Sequence, residues 1–211
     1  MDLESIENKY GFRYPEKFRK IFESGAMEWI TVGHDGFHSR KDEFMSDPKA
    51  FLLRVGGCEL IGLDEFDEEI EYLYELIEMD REYSGLILKP GYRLVPFGFN
   101  GGGDKFCFVY EEGKDEPFII LFCHDDPDPE FYGDDFDEFI YFMILNEAYD
   151  RLYDGEDYKT EAWFAHLDYL SDKYRADLEK CDFSSAESVS SVFWDVICLK
   201  TPDIWEEMTN N

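Results

Sequence analysis

From residue 124 to residue 135 the chain reads HDDPDPEFYGDD, so that Asp125, Asp126, Asp128, Glu130, Asp134 and Asp135 fall together with no lysine or arginine among them. Oxygen donors at this density suit a hard cation such as Ca²⁺ or Mg²⁺. The EF-hand spacing is not met, because prolines stand at 127 and 129 and no glutamate follows at the distance that would close the loop. Two other uses remain open: a solvated loop whose last aspartate caps a helix, and a surface that meets a basic partner. For the partner surface, Phe131 and Tyr132 would supply aromatic anchors, since aromatic side chains dominate binding hot spots. Core packing accounts for the same two rings.

The second stretch with chemical potential is LVPFGFNGGGDKFCFVYEE, residues 94–112. A phosphate-binding loop needs its glycines between a strand and a helix N-terminus, closed by Lys-Ser/Thr, so that backbone N–H groups and the helix dipole hold the charge. Lys105 is present, but no Ser or Thr follows it and the next segment reads as a strand. The dinucleotide fingerprint fails too, for want of a third glycine and a following helix. Asn100-Gly101 favours a hairpin turn instead, and the extra glycines allow a bulged tip.

The remaining reactive residues do not assemble into a catalytic pattern. His34 and His38 are four apart in loop-like sequence and lack the H-E-x-x-H context. His124 and His166 are isolated, and Cys123-His124 is adjacency along the chain, not a nucleophile and base joined by a fold. No G-x-S-x-G elbow occurs. The five cysteines contain no C-x-x-C, which argues against a disulfide framework or zinc ribbon. No catalytic residue, cofactor or metal ligand is assigned.

The elements that must position these residues follow from hydrophobic periodicity. Leu3, Ile6 and Tyr10 mark a short first helix, and Pro15 opens a second that carries Phe18, Ile21 and Phe22. Residues 26–63 are left open, ITVGHDGFHSR suggesting a strand and a turn, DPKAFLLRVGG a short helix or strand. A helix from Asp64 places Phe66, Ile70, Leu73 and Ile77 on one stripe and its glutamates elsewhere. YRLVPFGF, KFCFVYEE and PFIILFCHDD then form a three-stranded antiparallel meander. Asp135 is an N-cap with Glu138 three residues on, and the apolar helix behind it must be nearly engulfed. Further on, Trp163, Leu167, Leu170, Tyr174 and Leu178 read as one helix, and Ser184-x-x-Glu187 starts a last helix that Pro202 stops.

Composition bounds the partners. A chain of 211 residues forms one domain, or at most two, and carries 44% apolar residues with 20 Phe and 14 Tyr, far too many for a disordered acidic chain. Its 50 acids against 20 Lys and Arg leave a formal charge of −30. That disfavours nucleic acid and anionic membrane and permits either simple solubility or a basic partner steered in by the field. With neither a signal-peptide pattern nor a membrane-length apolar run, a cytoplasmic protein is expected, a monomer when free.

The string PFGFNGGGD at 96–104, the strand Phe106 to Tyr110, the strand ending LFCHDD and Phe136-Asp137-Glu138-Phe139 together resemble the SUKH superfamily, the Smi/Knr-type domain. YGFRYPEKFRKIFES is similar to that family's opening. The resemblance spans residues 2–150 and departs at 26–63 and at the helical residues 156–211. It implies an α+β fold, a central antiparallel sheet flanked by helices, with residues 1–152 as the domain and 153–211 as a helical extension packed on it. It also implies binding and not catalysis: an immunity protein that neutralises a polymorphic or contact-dependent bacterial toxin by occlusion. The acidic segment is then the expected contact surface for a basic, possibly nuclease, toxin. The alternatives are a regulatory or scaffolding module of the same fold and a metal-dependent hydrolase.

Overall fold

The computed structural model describes residues 2–84, 87–124 and 129–209. One antiparallel sheet runs β1 (Glu59–Leu60), β2 (Tyr92–Phe99), β3 (Lys105–Glu111), β4 (Phe118–Phe122) and β5 (Glu130–Gly133), each strand paired with its neighbour in sequence. Eight α-helices accompany it among the described residues: α1 (Leu3–Tyr10), α2 (Glu16–Glu23), α3 (Gly33–Ser46), α4 (Phe66–Ser84), α5 (Phe136–Tyr153), α6 (Glu161–Leu167), α7 (Asp172–Leu178) and α8 (Ala186–Met208). This is the α+β class expected. The meander is β2–β4, and one short strand is added at each edge.

Successive residues of a strand point to opposite faces, and here both faces are covered. Val95, Phe97, Phe106, Phe108, Ile119, Leu121 and Phe131 join the larger core, with Phe18 of α2 and Phe136 and Phe139 of α5. Its centre is aromatic: Phe97 stacks on Phe108 at 4.2 Å and meets Phe139 edge-on at 5.1 Å. On the opposite face Leu94, Cys107, Val109, Ile120 and Phe122 pack against Leu73 and Leu76 of α4 and against Met208 of α8. Lys105, on this second face, is buried and pairs with Glu69 of α4, its ammonium 5.1 Å from the Phe99 ring.

α5 is engulfed because it lies between the sheet and α8: Phe139 to Leu145 and Ala148 are all buried. Val189, Phe193 and Ile197 of α8 close its outer side. α8 then passes the open edge of β5, where the Thr201 hydroxyl accepts from the Phe131 N–H at 3.0 Å. A sheet edge covered this way offers no template for another strand. The end of α8 reaches the far face, where the Lys89 N–H donates to Met208 O at 2.8 Å and the Lys89 ammonium to Glu206 O and Glu207 O.

The structure corrects four expectations. ITVGHDGFHSR is no strand: after one 3₁₀ turn at Glu28–Ile30 it enters α3. Gly33 and Gly36 weaken the local helical signal, whereas the helix is held by tertiary contacts, Phe37 stacking on Phe44 at 6.0 Å and meeting Trp29 at 5.8 Å. The stripe Trp163 to Leu178 is two helices, since the chain turns at Asp168–Ser171 and Arg175 collects the freed carbonyls of Leu170 and Asp168. The last helix is capped by Ser185, whose hydroxyl accepts from Ser188 N–H at 3.1 Å, not by Ser184. Nor does Pro202 stop it: the proline lies inside α8 on its exposed side, where water can serve the carbonyl left without a donor.

Candidate functional site

The glycine run is the tip of the β2–β3 hairpin, as expected, and Asn100 organises it. Its side-chain oxygen accepts from Gly102 N–H at 2.9 Å and Asp104 N–H at 3.0 Å, while its amide donates to Asp104 Oδ2 at 2.8 Å. Of the three glycines only Gly103 has positive φ, at +93°. Asp104 Oδ1 in turn accepts from the His124 backbone N–H at 3.1 Å and lies 2.8 Å from His124 Nδ1, tying the end of β4 to the tip. Partial burial works to raise the Asp104 carboxyl, but the hydrogen bonds from Asn100 and His124 outweigh it and hold the group below the usual carboxylate range. Gly98 serves another purpose, because a Cβ there would stand 2.7 Å from Cys58 Sγ and 2.9 Å from Glu59 O, so its absence lets β1 approach. Glycine, Asn100, Asp104 and His124 thus build the sheet.

The segment 124–135 divides. Asp125, Asp126 and Asp128 lie outside the described residues. Asp135 caps α5, accepting from Asp137 N–H at 2.9 Å and Glu138 N–H at 2.8 Å, and Glu138 returns a carboxylate to Asp134 N–H at 2.7 Å. Asp134 is exposed and pairs with Lys200 of α8 at 2.5 Å, so the cation missing from the local sequence arrives from 66 residues away. Glu130 is half-buried at the start of β5. Phe131 is fully buried with Lys200 Nζ 4.3 Å from its ring centre, and Tyr132 is 8% exposed and packs on Phe106 at 5.1 Å. Both rings are core residues, which corrects their expected use as surface anchors: β5 packs between β4, α5 and α8, and Phe131 and Tyr132 join the apolar cluster those elements form.

The histidines take three different environments. His34 and His38 sit on α3, not in a loop, with ring centres 4.3 Å apart and Glu65 Oε1 3.8 Å from His34 Nδ1. His166 is buried, and since the Ala162 carbonyl can only accept, its 2.8 Å contact puts the proton on Nδ1. Burial pushes this imidazole down to about 4, the hydrogen bond to Ala162 opposing the shift and nearby Arg54 adding to it. Burial raises the Cys58 and Cys107 thiols, the reverse of what a nucleophile needs. Among the described residues no three His, Cys, Asp or Glu side chains converge as a metal site.

Two concave regions flank these elements. An open cleft of about 760 Å³ lies beside the hairpin tip, walled by Lys41, Arg54, Glu59 and Glu147, cations and carboxylates in equal number. A second, of about 780 Å³, runs along α4 between Tyr10, Tyr74 and Arg93. The outer face of α4 leaves Glu68, Glu71, Glu75, Glu78 and Glu82 exposed, and with them Tyr72, Tyr74 and Met79. The glutamates follow from the amphipathic spacing; the exposure of the rings beside them has only one signal in the sequence, that Tyr72 and Tyr74 fall off the Phe66-Ile70-Leu73-Ile77 stripe.

Among the described residues no helix is long and apolar enough to cross a membrane. A search of curated proteins and of solved structures finds no match. The family model described as the SMI1 / KNR4 family (SUKH-1) matches residues 1–141, from the start of the chain through the first turns of α5. That span includes every strand, the hairpin tip and its tie to His124, and the protein belongs to the SMI1 / KNR4 family (SUKH-1).

Proposed function

We propose that this protein is a cytoplasmic immunity protein that binds a cognate bacterial toxin and blocks it by occlusion, without chemistry of its own. Membership of the SMI1 / KNR4 (SUKH-1) family carries the reading. The formal charge of −30 adds the partner's character: a toxin that grips nucleic acid must present Lys and Arg to phosphates, and an acidic inhibitor competes for the same groups. The carboxylates Asp125, Asp126, Asp128 and Glu130 contribute to that field, whereas Lys200 offsets Asp134 and Asp135 is engaged as the cap of α5. The cleft beside the hairpin tip, with its balanced charges, offers no comparable preference for a cation-rich surface.

Co-expression tests it. The toxin encoded beside this gene is expected to kill or arrest cells alone and to be tolerated when this chain is present, with the two proteins copurifying. Cells unprotected by a well-folded chain, together with no complex between the purified proteins, would overturn the reading. Raising salt from 50 to 500 mM is expected to slow association steeply while changing dissociation little, as for encounters steered by exposed charge.

A further inference from the structure

We infer that the outer face of α4 is the docking surface for a basic protein partner, an inference that rests on the toxin-binding reading for the partner's identity but not for the surface itself. An acid-rich surface gains specificity when exposed aromatic side chains stand among the charges, because steering alone fixes no register. In the segment 124–135 that combination is absent from the described residues: Phe131 and Tyr132 are buried and Asp134 is neutralised by Lys200.

On α4 it is present. Tyr72 is 46% exposed, Tyr74 40% and Met79 54%, and Ile87 just beyond the helix 44%; these are four of the eight large exposed hydrophobic side chains among the described residues. The spacing 68, 71, 72, 75, 79, 82 puts four glutamates, one tyrosine and one methionine on a single stripe, opposite the buried Phe66, Ile70 and Leu73. Among the described residues Glu68, Glu71, Glu75 and Glu82 have no ion-pair partner, whereas Asp67 is held by Lys9, Glu69 by Lys105 and Glu78 by Arg81. Four uncompensated carboxylates around rings that water only half covers complement a protein surface of Lys and Arg surrounding a shallow apolar patch.

The platform is rigid, which reduces the ordering cost of binding. Leu73 and Leu76 anchor α4 on the sheet, Lys105 and Lys9 tie it to β3 and α1, and the Tyr74 hydroxyl donates to Leu94 O at 3.2 Å, fixing that ring at the rim of the groove beside Arg93. The occupant is therefore a basic protein segment lying along this stripe, of which a helix with arginines along one side and leucines along the other is the simplest form.

The test uses the full chain and a synthetic 18-residue Arg/Leu amphipathic helix as probe, at 150 mM salt, with amide shifts mapped by NMR. Shifts are expected to concentrate on residues 66–84 and Arg93. Glu71→Lys/Glu75→Lys should weaken binding at least tenfold, and Tyr72→Ala/Met79→Ala several-fold. Asp42→Lys/Asp154→Lys, the same charge change at exposed positions elsewhere, should alter it less than threefold. Thermal unfolding confirms that each variant is folded. Absence of binding, shifts spread over the surface, or equal loss in both charge-reversed variants would overturn the inference. The same variants in the toxin assay separate the two ideas. Protection that survives Glu71→Lys/Glu75→Lys rejects this surface and leaves immunity standing. A peptide site on α4 without toxin protection rejects immunity and leaves the surface.

Discussion

The backbone N–H of Leu52 donates to Nε2 of His166 at 3.1 Å, across 114 residues of sequence. Leu52 is the one residue other than glycine among those described with positive φ, at 59°. Such a conformation costs roughly 1 kcal/mol or more and persists where surrounding contacts enforce it. His166 supplies one of those contacts, because its second nitrogen is fixed as a donor to Ala162 and the first is left free to accept.

That pair predicts a pH dependence. Burial first, then Arg54, lowers the folded imidazole to about 4 against an ordinary value of 6.5. A depressed histidine is neutral in the folded protein while the unfolded chain takes up a proton. Stability therefore falls as pH is lowered from 6.5 towards 4, by roughly 3 kcal/mol in all, and is fully present above 6.5. His166→Leu is expected to cost about 1–3 kcal/mol at pH 7, leaving Leu52 N–H unpaired, and to flatten this part of the profile. Urea unfolding of both proteins from pH 4 to 7.5 checks the difference in slope; parallel profiles would reject the role assigned to His166.

Glu7 predicts a loss at the opening of the chain. Its carboxylate is buried, accepts the Tyr14 N–H at 2.9 Å and meets Arg19 Nη1 at 2.5 Å, joining α1 to α2. Glu7→Gln is expected to destabilise by about 2–3 kcal/mol, below the full cost of stripping a buried pair because the Arg19 side chain retains 31% exposure. A double-mutant cycle with Arg19→Gln should return a coupling above about 0.5 kcal/mol.

The glycines of PFGFNGGG are not equivalent. Gly98→Ala is expected to cost about 2–3 kcal/mol, because its new methyl would press on Cys58 Sγ and Glu59 O and displace β1. Gly101 has ordinary φ and no atom within 4 Å of where a Cβ would stand, so Gly101→Ala should stay within about 0.5 kcal/mol of the parent. Midpoints of chemical unfolding separate the two, and equal effects would show that the run acts only as a flexible tip.

Asp135 distinguishes structure from recognition within the acidic segment. As the cap of α5, its replacement by alanine is expected to cost about 1 kcal/mol, with asparagine restoring most of it. Partner association should be unchanged by either substitution at constant salt. A slower on-rate without loss of stability would assign Asp135 to the interface instead.

Much of the sheet and its helices is legible in the sequence because period and capping agree there. The β2–β4 strands are rich in Phe, Val and Ile between glycine turns, and α5 announces itself through Asp135 and an unbroken apolar run. β5 is hidden because a four-residue strand between prolines and aspartates carries no alternation long enough to detect; only Phe131 and Tyr132 signal it, and they serve equally as exposed anchors. α3 is hidden by Gly33 and Gly36, and its helicity is a consequence of Phe37, Phe44 and Trp29 meeting in space. Charge neutralisation is likewise invisible along the chain, since Lys200 reaches Asp134 only after α8 has crossed the edge of β5. On α4 the glutamates are plain from the pattern, whereas the weight of Tyr72, Tyr74 and Met79 depends on their solvent exposure.

The course of α8 has a consequence for biosynthesis. By residue 153 a ribosome has made the whole family-matched span, β1 to β5 and α5, yet neither apolar surface that α8 covers is closed. Phe142 awaits Phe193, and the patch of Cys107 and Val109 awaits Met208. A nascent chain in that condition presents sticky surface on both sides of a nearly complete sheet until translation has passed residue 208. Its demand for chaperone shelter is thus set by its last long helix, and a slow stretch of codons ahead of α8 would lengthen the interval of risk.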